Sequence, residues 1–338
     1  MRRALVLLVV VGTTLALLAG AAGYYATFVW RSAAFTPPLV IEVKRHEPFL
    51  ALARRLDAAG AIADARLFTL LARVRGDDRR VRSGEYELSG AATGAEVLAA
   101  LVSGKQRLHL VTIPEGLTLE EIAAVYERAG FGDAARFRAL AQDHDFVARL
   151  GLPAQHLEGY LFPDTYALES EATPEEIVTR MTARFREVFT PELAQAASEH
   201  GLTVDQAVTL ASIVEKEAAV AEERPRISAV FHNRLRRGMP LQSDPTVLYG
   251  VTGGDGRIHA TDLARATPYN TYVIPGLPPG PIANPGRASL EAAVRPEAGV
   301  SALYFVARND RTHEFNDTLA AHQKAVNRYQ RAPAHKPN

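Results

Sequence analysis

The chain has 338 residues, of which 47% are apolar, so it is long enough for a membrane anchor and one or two compact domains. Lys and Arg total 38, as do Asp and Glu, and this balance lacks the basic excess that proteins binding nucleic acid usually carry. The absence of Cys excludes disulfides and cysteine-based metal sites.

The first segment, residues 4–30, carries no charge and is preceded by Arg2 and Arg3. A helix of about 20 apolar residues crosses a bilayer, and positive charge favours the cytoplasmic side. We therefore predict that residues 1–30 are a cytoplasmic tip and single-pass anchor in the inner (cytoplasmic) membrane. The N-terminus would be cytoplasmic and the rest of the chain periplasmic or otherwise extracytoplasmic. A signal peptide cleaved near the small residues 19–22 is the alternative.

A linker at 31–38, rich in proline and small residues, leads into alternating short strands and helices. The hydrophobic spacing predicts strands at 39–43, 86–88 and 108–113, and helices at 47–59, 65–74, 94–102 and 118–129. Asp64 and Thr118 stand where they can cap two of these helices.

The rest of the chain is predicted to be richer in helix. Residues 133–191 are mainly helical and are interrupted by an aromatic-rich loop, LEGYLFPDTY. Two helices are predicted within 203–237, an ordered Pro- and Gly-rich loop region at 238–286, a strand at 304–307 and a closing helix at 318–329.

Two stretches, VIEVKRHEPFLALARRLDAAGAI and LVTIPEGLTLEEIAAVYERAGF, each predict a strand, a polar turn and a helix. The second resembles the LysM carbohydrate-binding pattern, although an ordinary α+β packing unit would have the same features. We therefore predict a LysM-like α+β domain at 39–131 and a larger, helix-rich domain at 132–338. The expected fold class is α+β.

The segment TVDQAVTLASIVEKEAAV predicts a helix with an apolar stripe and two glutamates, Glu215 and Glu217. Two residues on a helix are separated by about 200° of rotation, so the two carboxyls cannot act as a pair in one cleft. Apolar neighbours would raise the pKa of either carboxyl and make it a proton donor near neutral pH. The helix geometry leaves open which glutamate is the acid, or whether both are solvated.

Long motifs then identify a family resemblance. They are ASIVEKEA, VFHNRLRRGMPLQSDPTVLYG, TPYNTYVIPGLPPGPIANPG, YFVARNDRTHEFN and LEGYLFPDTY. These stretches resemble the endolytic murein transglycosylase family (MltG, YceG-like), and the resemblance implies that Glu217 is the catalytic acid. Lytic transglycosylases often have Ser or Thr after this glutamate. Ala218 stands there instead, so a supporting hydrogen bond would be absent or come from elsewhere.

The resemblance also implies a reaction. Glu217 would protonate the oxygen between N-acetylmuramic acid (MurNAc) and N-acetylglucosamine (GlcNAc) in a β-1,4 bond. It would then take the proton from the muramic 6-hydroxyl, which closes to a 1,6-anhydro end without consuming water. Such internal cuts would terminate the elongation of nascent glycan strands, and peptidoglycan synthases of the same membrane would be partners.

Several polar side chains are candidates for binding the glycan, because loops on a rigid scaffold commonly carry binding residues. They are Gln242, Asp244, Tyr249, Tyr269, Asn270, Tyr272 and Asn316. Each could instead serve turn geometry or packing. Asp244 would be the second carboxylate of a hydrolase if Glu217 did not act alone.

Other chemistries have little support in the sequence. His313, Glu314 and His322 lack the His-Glu-x-x-His spacing of a zinc site, no serine stands in a Gly-x-Ser-x-Gly setting, and no nucleotide fingerprint occurs, so we predict no metal or cofactor. The cluster Arg234, Arg236 and Arg237 is predicted to be a solvated helix end or a contact for acidic peptide stems. Three classes remain: a lytic transglycosylase, a peptidoglycan hydrolase, and a non-catalytic membrane-tethered wall-binding protein.

Overall fold

The computed structural model describes residues 2–30, 38–89, 93–251 and 257–331. The chain divides into two compact units, one formed by Met1–Leu110 with Ala167–Ala172 and the other by Val111–Tyr166 with Thr173–Asn338. This division falls earlier than the predicted boundary at 131/132, so residues 111–131 group with the larger unit. Most of the predicted linker, residues 31–37, lies outside the described residues.

The N-terminal helix α1 spans Arg2–Trp30, and its segment Val6–Ala26 is long and apolar enough to cross a membrane. The side chains described in that segment are almost all exposed to solvent. A membrane anchor and a signal sequence both have this length, composition and position near the N-terminus.

The first unit continues with β1 (Leu39–Val43), α2 (Phe49–Ala58), α3 (Ala65–Arg75), β2 (Gly84–Leu88), α4 (Gly94–Ser103) and the start of β3 (Leu108–Thr112). Strands β1 and β2 pair antiparallel, with Leu39 opposite Leu88. The helices bury Leu56, Phe68 and Leu98 in one apolar core. Asp64 caps α3 as predicted, since its carboxylate accepts from two backbone N–H groups at the start of that helix.

The larger unit begins with α5 (Leu119–Arg128), α6 (Ala134–Ala141), α7 (His144–Arg149), the first two residues of β4 (Thr165–Glu169), α8 (Pro174–Val188), α9 (Pro191–Glu199) and α10 (Val204–Glu217). It continues with α11 (Arg224–Arg236), α12 (Asp244–Leu248), α13 (Ala260–Leu263), α14 (Arg287–Val294), β5 (Tyr304–Ala307), β6 (His313–Asn316) and α15 (Leu319–Val326). Strand β3 pairs with β4, and β5 pairs antiparallel with β6. The described chain is a mixed helix and sheet fold that is rich in helix, as predicted.

Helix α10 is the central element of the larger unit. The stretch Ala207–Val214 is buried on every side, because α10 packs against α9, α11, α12 and α14. The predicted single apolar stripe was therefore too narrow. Its polar members form hydrogen bonds inside the core: the Ser212 hydroxyl donates to the Thr209 carbonyl at 2.7 Å and accepts from the Ile282 N–H at 3.0 Å. A helix packed in this way gives its C-terminal residues a fixed position.

Candidate active site

Glu217 is the last residue of α10, and the chain turns into extended backbone at Ala218. Its carboxyl lines a cavity of about 300 Å³ in the larger unit. The cavity walls come from α11, the loop before α12, and the β5–β6 hairpin with α15. They include Arg234, Gln242, Asp244, Tyr272, His313 and His322.

The half-buried carboxyl of Glu217 has surroundings suited to holding a proton. Burial raises the pKa of Glu217 to about 7 from its ordinary value of 4.5. A hydrogen bond from Ser243 lowers this pKa, the negative charge of Asp244 raises it, and the positive charge of Arg234 lowers it. The group therefore exists in both protonation states near neutral pH, as general acid and base catalysis by one residue requires.

Ser243 supplies a hydrogen bond that the residue after the glutamate does not. The Ser243 hydroxyl donates to the Glu217 Oε1 at 2.6 Å. Ser243 is itself held in place, since its backbone N–H donates to the Thr271 hydroxyl at 2.9 Å. The orienting hydroxyl is thus supplied from 26 residues along the chain, while Ala218 supplies none.

Glu215 has a different environment from Glu217, as their angular separation on the helix predicts. It accepts hydrogen bonds from the Gly286 N–H at 3.1 Å and the Ser289 hydroxyl at 2.7 Å. It also forms an ion pair with Arg224 at 3.3 Å, and its side chain is only 7% exposed. With both oxygens engaged and no position in the cavity, Glu215 holds α10 against α14 and its preceding loop.

The prediction that Arg234 belongs to a solvated helix end is wrong. Arg234 is buried, and its guanidinium donates to the carbonyls of Leu303 at 2.7 Å and Leu241 at 2.9 Å. Its Nη1 also reaches the Gln242 Oε1 at 3.2 Å. Arg236 and Arg237 are exposed, as predicted. The helix periodicity alone did not reveal that one face of the C-terminal turn of α11 is covered by the β5 region.

Three of the predicted glycan contacts line the cavity beside Glu217. Gln242 has a left-handed backbone, with φ of 51°, and its N–H donates to the Thr271 carbonyl. Such strain in a non-glycine residue often accompanies a functional site. The Tyr272 hydroxyl donates to the Asp244 Oδ1 at 2.6 Å. Gln242, Asp244 and Tyr272 are therefore placed together beside the acid.

Two histidines also line this cavity. The His313 Nδ1 lies 2.7 Å from the Glu223 Oε2, which fixes the ring. His322 stacks on Tyr304 with ring centroids 5.3 Å apart. Burial lowers the pKa of His322, and its Nδ1 is buried without a hydrogen-bond partner among the described residues. No group of three His, Asp or Glu side chains in the described part of the chain could hold a metal ion.

Two predicted contacts belong to the framework instead of the cavity. Asn270 is fully buried, and its amide donates to the carbonyls of Asp262, Leu263 and Arg265. Asn316 is buried at the end of β6, where its carbonyl accepts from the Leu303 N–H. Neither side chain lines the cavity of Glu217, and both have hydrogen-bond partners within the fold.

The remaining predicted contacts, Tyr249 and Tyr269, lie together beside a second buried glutamate. Their ring centroids are 4.6 Å apart, and the Tyr249 hydroxyl donates to the Glu158 Oε2 at 3.0 Å. Glu158 also accepts from the Leu119 N–H at 2.9 Å and the Asn284 amide at 2.8 Å. Burial raises the pKa of Glu158 to about 7. Glu158 lies in the motif LEGYLFPDTY, which carried the family resemblance but gave no sign that this glutamate is buried.

The site is thus a polar cavity with one accessible, proton-holding glutamate, on a helix-rich α+β fold. These features define a candidate acid–base enzyme. The YceG-like family matches residues 41–328, and the chain belongs to this family, which confirms the resemblance drawn from the motifs.

Named relatives and a solved structure agree with this membership. The chain is 33% identical over 263 residues to the endolytic murein transglycosylase of Bacillus subtilis, covering 73% of each protein. It is 33% identical over 285 residues to that of Streptococcus pneumoniae, covering 75% of this chain and 51% of the relative. It therefore spans about half the length of the streptococcal protein. A crystal structure of a yceG-like protein from Listeria monocytogenes has a TM-score of 0.58 and 32% identity, covering 85% of this chain and 98% of that one.

Proposed function

We propose that the chain is an endolytic peptidoglycan lytic transglycosylase, a lyase that cleaves the MurNAc-β-1,4-GlcNAc bond and leaves 1,6-anhydroMurNAc ends. The observation that carries the proposal is the Glu217 carboxyl, which faces the cavity, is held by Ser243 and has a pKa near neutrality. The names of the relatives support the substrate class.

In the first step, protonated Glu217 donates its proton to the glycosidic oxygen as the bond from C1 of the muramic residue to that oxygen breaks. The departing GlcNAc takes the proton as its 4-hydroxyl. The resulting Glu217 carboxylate is stabilised by the Ser243 hydroxyl and by the positive charge of Arg234.

In the second step, the muramic 6-hydroxyl gives its proton to Glu217 while its oxygen bonds to C1. The 1,6-anhydro ring closes and the acid is regenerated, so no water is consumed and one carboxyl suffices. The other carboxylate of the cavity, Asp244, accepts a hydrogen bond from Tyr272 and raises the pKa of Glu217 by its charge. Its proposed role is to keep the acid protonated.

The proposal includes the location of the enzyme in the cell and its protein partners. Helix α1 would anchor the enzyme in the inner membrane with the N-terminus cytoplasmic, and the remaining chain would meet nascent strands leaving peptidoglycan synthases. Cutting there would terminate strand elongation. The LysM-like region 39–131 would contribute contacts to glycan, and 132–338 would carry the catalysis.

The test is the chemistry of the new chain ends. Purified glycan strands are digested with the parent enzyme and, in parallel, with the Asp244→Asn variant. The masses of the products are measured by mass spectrometry. We expect anhydro ends, lighter by one water than hydrolytic ends, from both enzymes. If the parent enzyme produced hydrolytic ends and the Asp244→Asn variant did not, the chain would be a hydrolase that uses two carboxylates. If the intact chain did not cleave the strands at all, the remaining alternative would be a non-catalytic wall-binding protein.

A further inference from the structure

A second cavity of about 770 Å³ lies in the larger unit and has no role in the proposed reaction. It is formed by the start of α5, the turn between α6 and α7, the loop before Glu158, and the residues that follow α12. In order, its polar and aromatic lining includes Gln142, His144, Gln155, His156, Glu158 and Tyr249. The first three are exposed to solvent, whereas Glu158 is buried at the base with all its hydrogen bonds made inside the protein.

The chemistry of this cavity favours a neutral, hydroxyl- and amide-bearing ligand. Gln142 and Gln155 offer amide donors and acceptors, His144 offers ring nitrogens, and Tyr249 offers an aromatic surface. No Lys or Arg occurs among the described residues that line it, while Glu120 and Glu158 do. Glu120 is paired with Arg138, whose Nη1 lies 2.6 Å from its Oε1, so a ligand that carries carboxylates finds no unpaired arginine or lysine in the lining.

The cavity of Glu217 differs in this respect, because Arg234 lines it, whereas each of the two cavities has two histidines. Muramic acid and its peptide stem carry carboxylates, whereas N-acetylglucosamine is neutral. The charge pattern therefore assigns the alternating sugars to different cavities. The acidic sugar, muramic acid, is tolerated beside Arg234, and the neutral sugar, N-acetylglucosamine, is favoured beside Glu158.

Two short segments connect the cavities. Asp244 lines the cavity of Glu217, and Leu248, at the other end of α12, lines the second cavity. Their Cα atoms are separated by about 6 Å along the helix axis. In the neighbouring segment, Tyr272 lines the cavity of Glu217, while Tyr269 packs its ring on Tyr249. The two cavities thus lie at opposite ends of the same pair of segments.

We propose that the second cavity is a subsite for an N-acetylglucosamine residue of the glycan strand, separate from the site of cleavage at Glu217. This inference rests on the proposed function for its substrate. Occupation of the subsite holds the strand across α12, so that the bond beside Glu217 lies inside the strand and not at its end. Gln155 and His144 contact the sugar, and Tyr249 supports it.

The experiment measures binding without catalysis. Full-length Glu217→Gln protein in detergent is titrated with tri-N-acetylchitotriose, a neutral GlcNAc oligomer, and binding is followed by saturation-transfer NMR and calorimetry. In the same background, the double variant His144→Ala/Gln155→Ala should weaken binding about tenfold, as expected for the loss of two hydrogen bonds. Both side chains are exposed, so the fold should tolerate their removal.

The matched control is Gln195→Ala on the exposed side of α9, which should bind the oligomer as the parent does. If chitotriose bound equally to parent and double variant, it would occupy only the cavity of Glu217 and the subsite proposal would be overturned. A muramyl peptide that bound in place of chitotriose and lost affinity in the double variant would also overturn it. If Glu217→Gln still cleaved strands, the proposed function would fail while the binding comparison would remain interpretable.

Discussion

Two regions of the larger unit each contain a glutamate whose pKa is raised by burial to about 7, yet only one of them is arranged for proton transfer. Glu158 accepts from the Leu119 N–H, the Tyr249 hydroxyl and the Asn284 amide, so its lone pairs are committed to the fold. Glu217 accepts hydrogen bonds from the Ser243 hydroxyl and the Asp244 backbone N–H, and it lies half-buried beside a cavity. Glu158 is only 3% exposed, although it lies at the base of the second cavity. A raised pKa therefore marks burial, whereas a carboxyl that stays partly exposed to a cavity marks a candidate acid.

The largest expected effect comes from removing the acid. Glu217→Gln keeps the shape of the side chain but cannot donate a proton, so the rate of anhydro-end formation should fall by about 10³-fold. The rate is measured by quantifying anhydro ends released from purified strands. Glu158→Gln is the matched control and should retain activity within about tenfold, since its amide oxygen can still accept hydrogen bonds. Comparable losses in the two variants would remove the distinction between the regions.

The second effect concerns stability. Glu158→Ala leaves the buried Leu119 N–H and Asn284 amide without their acceptor and should lower the free energy of unfolding by about 3 kcal/mol. Urea denaturation followed by circular dichroism measures this change. An unchanged transition midpoint would mean that Glu158 does not organise the segments it joins.

The pH dependence of stability gives an independent check on Glu158. Its pKa is raised in the folded state from 4.5 to about 7, so the folded chain binds the proton more tightly than the unfolded chain. The resulting stabilisation is complete below about pH 4.5 and is lost as the pH rises through about 7. Glu158→Gln should lack this component, so its stability relative to the parent should increase across that window. If the free energies of unfolding of the parent and of Glu158→Gln changed with pH in parallel, the raised pKa of Glu158 would be contradicted.

A smaller effect is expected at Ser243. Ser243→Ala removes the hydrogen bond that orients Glu217 and stabilises its carboxylate, so the rate should fall about tenfold. The same bond lowers the pKa of Glu217, so the alkaline limb of the pH profile of kcat/KM should move to higher pH. Ser301→Ala, an exposed serine in the same unit, is the control for loss of a hydroxyl. A limb that moves to lower pH would refute the role of Ser243.

The smallest expected effect is a shift of the alkaline limb of the pH profile in the opposite direction. The negative charge of Asp244 raises the pKa of Glu217, so Asp244→Asn should move the alkaline limb to lower pH by less than about one unit. Turnover at low pH should remain substantial. Loss of all activity in this variant would show that Asp244 takes part in the chemistry.

The sequence predicted the framework better than the contacts of the site. Helix α10 has a capping box formed by Thr203 and Gln206, which is a local pattern, and its periodicity correctly separated the two glutamates. The family motifs pointed to Glu217. The hydrogen bond from Ser243, by contrast, spans 26 residues, and no helical period encodes it.

The differences between expectation and structure have the same physical origin. Arg234 was expected in solvent because it belongs to a basic cluster at a helix end, but the Leu303 carbonyl, 69 residues further along the chain, accepts its hydrogen bond in the interior. Asn270 was expected in the cleft because amides bind acetamido groups, yet the same amide satisfies three carbonyls of its own turn. Composition indicates what a side chain can bind, and only tertiary packing decides which partner it meets.

The anchoring of Glu215 has a consequence for reorganisation during catalysis. The Gly286 N–H, Ser289 and Arg224 fix the rotation of α10 about its axis before any substrate arrives. Glu217 is two residues further on the same rigid helix, so its direction is set by the same contacts. The entropy of placing the proton donor is therefore lost during folding, and little reorganisation remains for the transition state. A second glutamate that never touches the substrate would in this way contribute to the preorganisation of the first.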